Sequence, residues 1–218
     1  MDKKSLESTL QGLFSNLKKR NFDESIDLII TFKNLNIKNK DHRFEYFVNL
    51  PHPFITKIKS LAFVKNKQYL ESLKGIVDKI IFDDEISKIS KKDAKKLANE
   101  HDLILAEGQA MLTVGKFLGQ VLSPRGKMPV VMPPNEQAVK NLIASQLSKV
   151  KISNKKNKSS VSLMIRIGKK SQSVSDIAEN TLVVYNSLFE KLPNGKQNIK
   201  DVIYKTTMSA PVKVGGAL

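Results

Sequence analysis

Two segments carry side chains suited to a phosphate or ribose partner. Near the C-terminal end, Lys205, Thr206, Thr207 and Met208 finish a strand-like run and precede Ser209, Ala210 and Pro211. Adjacent hydroxyls at a strand end can bond phosphate or ribose oxygens, and an exposed methionine can pack on a sugar or base face. A strand with an ordinary turn would account for the same residues. In the middle of the chain, Pro124, Arg125, Gly126, Lys127 and Met128 lead into Pro129, Pro133 and Pro134. Proline fixes φ and holds the loop extended, so Arg125 and Lys127 on either side of a glycine could offer phosphate a rigid pair of cations. A stiff connector between two helices is the alternative.

Enzyme chemistry finds no comparable set. The chain lacks both G-x-G-x-x-G and G-x-x-x-x-G-K-[ST], the loops that cradle phosphates. Gly115 and Gly119, four apart on a helix, read as a packing pair. His42, His52 and His101 are too scattered in sequence for a metal site, and Asp83, Asp84 and Glu85 form an acidic loop that solvation explains as well as a cation would. With no cysteine there are no disulfides, thiolate metal sites or cysteine nucleophiles. No catalytic residue, cofactor or metal is expected.

Charge points to a polyanion. Lys and Arg number 37 against 21 Asp and Glu, a net charge of +16. Residues 137–175 carry nine of the bases and no acid. Within them KVKISNKKNKSSVSLMIRIGKKSQS interleaves basic loops with strand-like runs, which displays bases at strand ends. Lys33, Arg166 and Lys169 are candidate phosphate contacts by charge and strand placement. The chain is 218 residues long, 40% hydrophobic and 27% charged, enough to bury a core. MDKKSLESTL lacks the apolar stretch of a signal peptide, and no run approaches a membrane span, so a cytoplasmic protein without membrane contact is expected.

The elements that must position these residues follow from periodicity. Leu6, Leu10, Leu13 and Leu17 mark one face of an N-terminal helix, with Lys18, Lys19 and Arg20 in its last turn. FDESIDLIITFKNLNI and RFEYFVNLP read as strands, ended by Pro51 and Pro53. From Lys57 strands and helices alternate: SLAFVK, the short helix NKQYLESLKG, VDKIIF, a helix capped by Ser90 and Asp93, DLILAEG, MLTVGKFLGQVL, then EQAVKNLIASQLSK and the run VKIS. That alternation predicts a parallel, doubly wound sheet. SVSLMIRIG, a helix capped by Ser173 and Asp176, and a closing strand NIKDVIYKTTMSAPVKV follow. Neither end alone has strands enough for a covered sheet. The fold class expected is therefore α/β with α+β: residues 1–55 and 153–218 form a split α+β domain, into which 56–152 insert as a Rossmann-like three-layer α/β domain.

F-D-E-S-I-D-L, then P-R-G-K-M-P, then A-E-N (178–180) followed by N-I-K-D-V-I-Y-K-T-T-M and V-K-V occur in an order and spacing that resembles the family of universal large-subunit ribosomal protein one, of the mobile side stalk, in its archaeal form. The resemblance covers nearly the whole chain. It implies the same split division, binding of large-subunit rRNA mainly through the split domain, repression of translation through the protein's own mRNA, and a part in releasing tRNA from the exit site, by a monomer within the ribosome. Carried over by position, RNA contacts fall on Phe22, Ser25 and Asp27 and on Thr206, Thr207 and Met208, with secondary contacts at Arg125 and Lys127. Phe22 and Met208 would supply apolar contact, Ser25 and the threonines hydrogen bonds that can include 2′-hydroxyls, and Asp27 an acceptor. The family usually has Gly at Ser123 and Gly-Pro at Ser209 and Ala210; the Ser209 hydroxyl could replace part of the glycine's close contact.

Two other readings stay open: a basic RNA-binding or chaperone protein acting by charge alone, and a nucleotide-dependent enzyme using the middle segment. If lysines 155, 156 and 158 act only by charge, neutralising them weakens all RNAs alike and lowers the slope of log affinity against log salt by roughly one per lost phosphate contact. Titrations at several salt concentrations measure that slope, and an unchanged slope leaves the loop merely solvated.

Overall fold

The computed structural model describes residues 2–35, 39, 42–67, 69, 73–155 and 162–215. The chain forms two compact units: Met1–Phe54 with Ser148–Leu218, and Ile55–Leu147. Among the described residues no helix is long and apolar enough to cross a membrane.

The unit built from the chain ends contains α1 (Lys3–Ser15), β1 (Ser25–Phe32) and β2 (Glu45–Asn49). Its later half adds β7 (Lys149–Ser153), β8 (Ser162–Lys169), α6 (Val174–Lys191), β9 (Ile199–Thr206) and β10 (Val212–Lys213). The sheet runs β10-β9-β1-β8, all antiparallel. In β1 alternate residues Ile26, Leu28, Ile30 and Phe32 are buried, the period-2 signature of a sheet covered on one face. The cover is helical: α1 buries Leu6, Leu10 and Leu13, and α6 buries Ile177, Val184 and Leu188. Two polar links fix α6 to the sheet. The Tyr204 hydroxyl on β9 donates to Thr181 Oγ1 at 2.9 Å, and Asn180 Nδ2 donates to the Ile167 carbonyl on β8 at 2.9 Å. Burial pushes the Tyr204 phenol far above its ordinary pKa, so it stays a neutral donor. Asn180, fully buried, also accepts from His52 N–H at 3.0 Å and donates to the His52 carbonyl at 2.8 Å, which anchors the loop after β2.

The second unit contains β3 (Ser60–Val64), β4 (Lys79–Phe82), α2 (Asp83–Ile86), α3 (Lys91–Glu100), β5 (Leu103–Ala106), α4 (Gly108–Leu122), β6 (Val130–Val131) and α5 (Glu136–Ser148), the last residue of α5 falling in the other unit. The strands form one parallel sheet, β4-β3-β5-β6. All five residues of β3 are buried and so are all four of β5, as a sheet covered on both faces requires. Leu61 and Phe63 pack with Ala94, Leu97, Val114 and Leu118 of α3 and α4. Ala62 and Val64 pack on the opposite side with Val77, Met132 and Val139. This is a three-layer, Rossmann-like arrangement. Ser90 caps α3 by accepting from Asp93 N–H, as its spacing predicts, and Ser173 does the same for Asp176 on α6.

Several sequence expectations need correction. Residues 149–152, read as the end of the inserted unit, lie in a strand that pairs instead with β2: Tyr46 lies opposite Ile152 and Val48 opposite Val150. This register joins half-buried apolar faces that neither strand could cover alone. The acidic run at 83–85 is a short helix rather than a loop. The closing run is a hairpin, because the turn after Thr206 separates β9 from β10. Helix α1 stops at Ser15, so Lys18, Lys19 and Arg20 lie beyond it rather than in its last turn. A Cβ on Gly115 or Gly119 would meet nothing within 4 Å, so packing inside this chain does not require either glycine. Much of the helix expected over NKQYLESLKG, and Lys156 and Lys158 of the basic loop, lie outside the described residues.

Replacing Asn180 by Ala leaves the His52 and Ile167 backbone groups unpaired, and should destabilise the chain by roughly 2–4 kcal/mol. Urea unfolding followed by circular dichroism measures it; a loss below ~0.5 kcal/mol would contradict this role.

Candidate nucleic-acid interface

The start of β1, the turn after β8 and the turn after β9 meet at one end of the antiparallel sheet. Ser25 N–H donates to Thr207 Oγ1 at 3.1 Å, and Thr207 N–H donates to the Ser25 carbonyl at 3.1 Å. These reciprocal bonds clamp residues 182 positions apart. Beneath them lies Glu24, 1% exposed. Its Oε2 accepts from the Thr206 hydroxyl at 2.7 Å and from Met208 N–H at 3.1 Å, and its carbonyl accepts from Lys170 N–H at 2.9 Å. On the other side Asp23 accepts from Ser171 N–H at 3.1 Å and from the Ser171 hydroxyl at 2.8 Å. Three chain segments are thus pinned together by two consecutive acids.

The pinning presents what remains outside. Phe22 is 51% exposed and Met208 57%, two large apolar side chains in water at this junction. Among the described residues the Ser25 hydroxyl makes no hydrogen bond and is free for a ligand. Across the sheet, Asp27 lies opposite Arg166 on β8 and opposite Lys205 on β9, on the face that the helices leave open. Within 4.0 Å none of the three forms an ion pair among the described residues, so cation, carboxylate and cation stand in a row. The row can meet two phosphates and one hydroxyl donor. Lys169 sits beside this end, with its ammonium 4.0 Å from Asp23.

Not every expected residue joins the cluster. Thr206 is fully buried, and its hydroxyl is committed to Glu24, so it holds the turn instead of facing a ligand. Ser209 works the same way: its hydroxyl accepts from Thr206 N–H at 2.9 Å and donates to the Ala210 carbonyl at 2.9 Å. The hydroxyl closes the turn that glycine would leave to the backbone. Lys33 follows Phe32 at the far end of β1, about 23 Å of strand from Ser25. In the Rossmann-like unit, Gly126 at φ 68° turns the chain between Arg125 and Lys127. Arg125 Nη1 donates to the Val121 carbonyl at 3.0 Å. Lys127 is turned inward, its ammonium 2.6 Å from the His101 carbonyl and 3.9 Å from Asp102. The two cations are therefore not a free pair. Glu24 is what sequence reasoning passed over, and Lys205 is named there in the closing strand without a contact of its own. For Glu24 the available signal was an acid placed directly before an alternating strand.

Among the described residues no group of three or more His or acidic side chains could hold a metal. His52 lies 2.6 Å from Glu179 and 3.6 Å from Asp176, and Glu179 also binds Lys3 at 2.8 Å. This is an ion-pair network on α6, with Lys3 and then His52 holding the Glu179 carboxyl below its ordinary pKa. By charge the unit of the chain ends is the more basic, with 22 Lys or Arg against 11 Asp or Glu, where the other has 15 against 10.

Fold and charge together define a basic α/β protein of two units, with its excess of cations concentrated on the unit of the chain ends. The profile of the family described as Ribosomal protein L1p/L10e matches residues 14–210, and the chain belongs to that family. It is 37% identical over 214 residues to the large ribosomal subunit protein uL1 of Methanocella arvoryzae, covering 97% of this chain and 98% of the relative. The corresponding protein of Thermofilum pendens is 36% identical over 96% of this chain and 92% of its own length. That of Pyrococcus abyssi is 31% identical over 99% and 97%. The chain is thus a ribosomal protein of archaeal type and not an enzyme.

The Glu24 carboxyl is held below its ordinary pKa, first by the Thr206 hydroxyl and also by Met208 N–H, against burial, which acts the other way. A depressed carboxyl pKa adds stability that is present above about pH 4.5 and is lost as pH falls through the folded value. Acidification from about pH 6 to 3 should therefore lower the melting temperature of the wild-type chain more than that of Glu24→Gln. Parallel pH profiles in thermal melts would remove Glu24 from this role.

Proposed function

We propose that this chain is a structural constituent of the large ribosomal subunit that binds large-subunit rRNA through the strand-end cluster. The observation that carries the reading is the pairing of exposed Phe22 and Met208 around the Ser25–Thr207 clamp, on the more basic unit. An exposed aromatic and an exposed methionine cost solvation in a free protein, and sugars or unstacked bases would cover them. Ser25, the outer Thr207 and Asp27 supply hydrogen bonds that can distinguish a 2′-hydroxyl, while Arg166, Lys169 and Lys205 meet phosphates. Thr206 and Ser209 fix the turn from behind.

In this reading the unit of the chain ends, Met1–Phe54 with Ser148–Leu218, acts as the RNA-binding domain, and Ile55–Leu147 as an inserted domain making secondary contacts through Arg125. Membership of the family supports the further roles the resemblance implies. The same surface would bind a similar fold in the protein's own mRNA and so repress translation. Within the side stalk a monomer would take part in releasing tRNA from the exit site. Neither role needs chemistry from the protein.

A competition titration tests the core of the reading. The purified chain is mixed with a folded stalk-type rRNA fragment and an equal-length unrelated duplex at two salt concentrations. Binding that survives the higher salt and the competitor is expected; equal binding to both RNAs that collapses with salt would reduce the function to charge alone. Met208→Ala should cost on the order of 1–3 kcal/mol with the folded fragment and little with the duplex. Equal loss on both would remove Met208 from shape recognition.

A further inference from the structure

A groove of about 480 Å³ opens beside the strand-end cluster, between the chain leaving α1 and the turn before β10. Its apolar lining comes from both chain segments, Leu13 and Leu17 from one and Met208 and Pro211 from the other. Lys18 and Arg20 stand at the groove and form no ion pair among the described residues. They lie beyond the end of α1, so the helix dipole does not account for them. Glu24 lines the same groove. Its Oε2 is taken by Thr206 and Met208, and its Oε1 has no hydrogen-bond partner among the described residues. Glu24 Oε1 is not among the buried side-chain atoms left without a partner, so the residue's slight exposure lies at that oxygen, where a ligand donor can take the place of water.

We infer that this groove is a nucleotide subsite, holding one unstacked nucleotide of the bound RNA whose base carries an exocyclic amino group. The inference rests on the RNA-binding reading above. An apolar lining drawn from two chain segments suits a flat base, which Leu17 and Met208 can cover. Lys18 and Arg20 suit its phosphate. Glu24 Oε1 suits the amino group of cytosine, adenine or guanine, and repels the carbonyl O4 that uracil has in that place. The volume lies within the roughly 300–1,000 Å³ of small-ligand sites. An acidic peptide would meet the same cations but would face the Glu24 carboxylate at the floor. Glu24 thus has two tasks: Oε2 shapes the turn and Oε1 reads the base.

The test uses the full chain with methyl-labelled Leu and Met, titrated with 5′-CMP, 5′-AMP and 5′-UMP. Saturable shifts at Leu13, Leu17 and Met208 are expected with CMP and AMP, with UMP weaker by about tenfold or more. Glu24→Gln should abolish the preference over UMP. Because that change also touches the turn, Ala210→Trp serves as a second variant, filling the groove from its exposed rim without removing any bond of Glu24. It should erase the nucleotide shifts and weaken the stalk-type rRNA fragment by roughly 5- to 100-fold. Equal affinity for UMP, or shifts confined to residues outside the groove, would overturn the inference. So would wild-type RNA affinity in Ala210→Trp, which would leave the RNA-binding reading standing as long as Met208→Ala still weakens the fragment. If the wild-type chain fails to select the fragment over the duplex, the broader reading falls as well.

Discussion

The strand-end surface depends on one buried carboxylate. Glu24 receives the Thr206 hydroxyl and the Met208 amide from the far end of the chain, and its backbone carbonyl receives Lys170 N–H from the turn after β8. A buried charge of this kind needs hydrogen bonds from groups held in place, and the two that reach Oε2 make it demanding about geometry. That demand is what a recognition site needs. Met208 has three rotatable bonds and would be a loose probe on a free turn. With its amide fixed to Glu24 and the neighbouring Thr207 clamped to Ser25, its backbone origin is set, and less ordering remains to be done on binding.

The same bonds explain why the chain is split. Segments 22–25 and 206–209 are near opposite ends of the sequence but meet where two adjacent strands of one sheet, β1 and β9, begin and end, with β1 between β8 and β9. A unit whose central strand comes from the first 32 residues and whose neighbours come from the last 60 holds its site only when both halves are present. The Rossmann-like unit makes no such demand. Its sheet is parallel, its strands are buried on both faces, and its order follows from local βα alternation.

That difference accounts for what the sequence revealed. Local periodicity made α3, α4, α6 and the buried strands β3 and β5 legible, and the caps at Ser90 and Ser173 were readable from spacing alone. The pairing of β2 with β7 was not, because both strands are short and half-apolar, and only the shape of the folded unit selects their partner. Likewise a run of Thr-Thr-Met announces polar and apolar surface but not which threonine faces out. Thr206 and Thr207 differ by one step of a pleat, and one step decides between the Glu24 carboxylate and the solvent. Lys127 misled for a related reason: a cation on a rigid loop looked free, whereas the His101 carbonyl of its own unit had first claim on it, while Arg125 gives only Nη1 to a helix-end carbonyl.

Charge alone would be a poor basis for choosing one RNA fold. A net excess of eleven bases on one unit draws any nucleic acid, with an attraction that salt weakens for cognate and unrelated RNA alike. Discrimination must come from groups whose satisfaction depends on shape: the Ser25 hydroxyl, the Asp27 carboxylate between two cations, Phe22 and Met208. Asp27 is the informative member, because it repels phosphate and so weakens indiscriminate binding. An RNA that merely lays its backbone across the open sheet face meets that carboxylate as a cost; one that presents a hydroxyl or amino group there turns the cost into a hydrogen bond, while Arg166 and Lys205 take the flanking phosphates. On the proposed reading, a surface with the carboxylate removed would bind more RNA and choose among RNAs less well, so the acid in the middle of a basic face would serve recognition rather than depart from it.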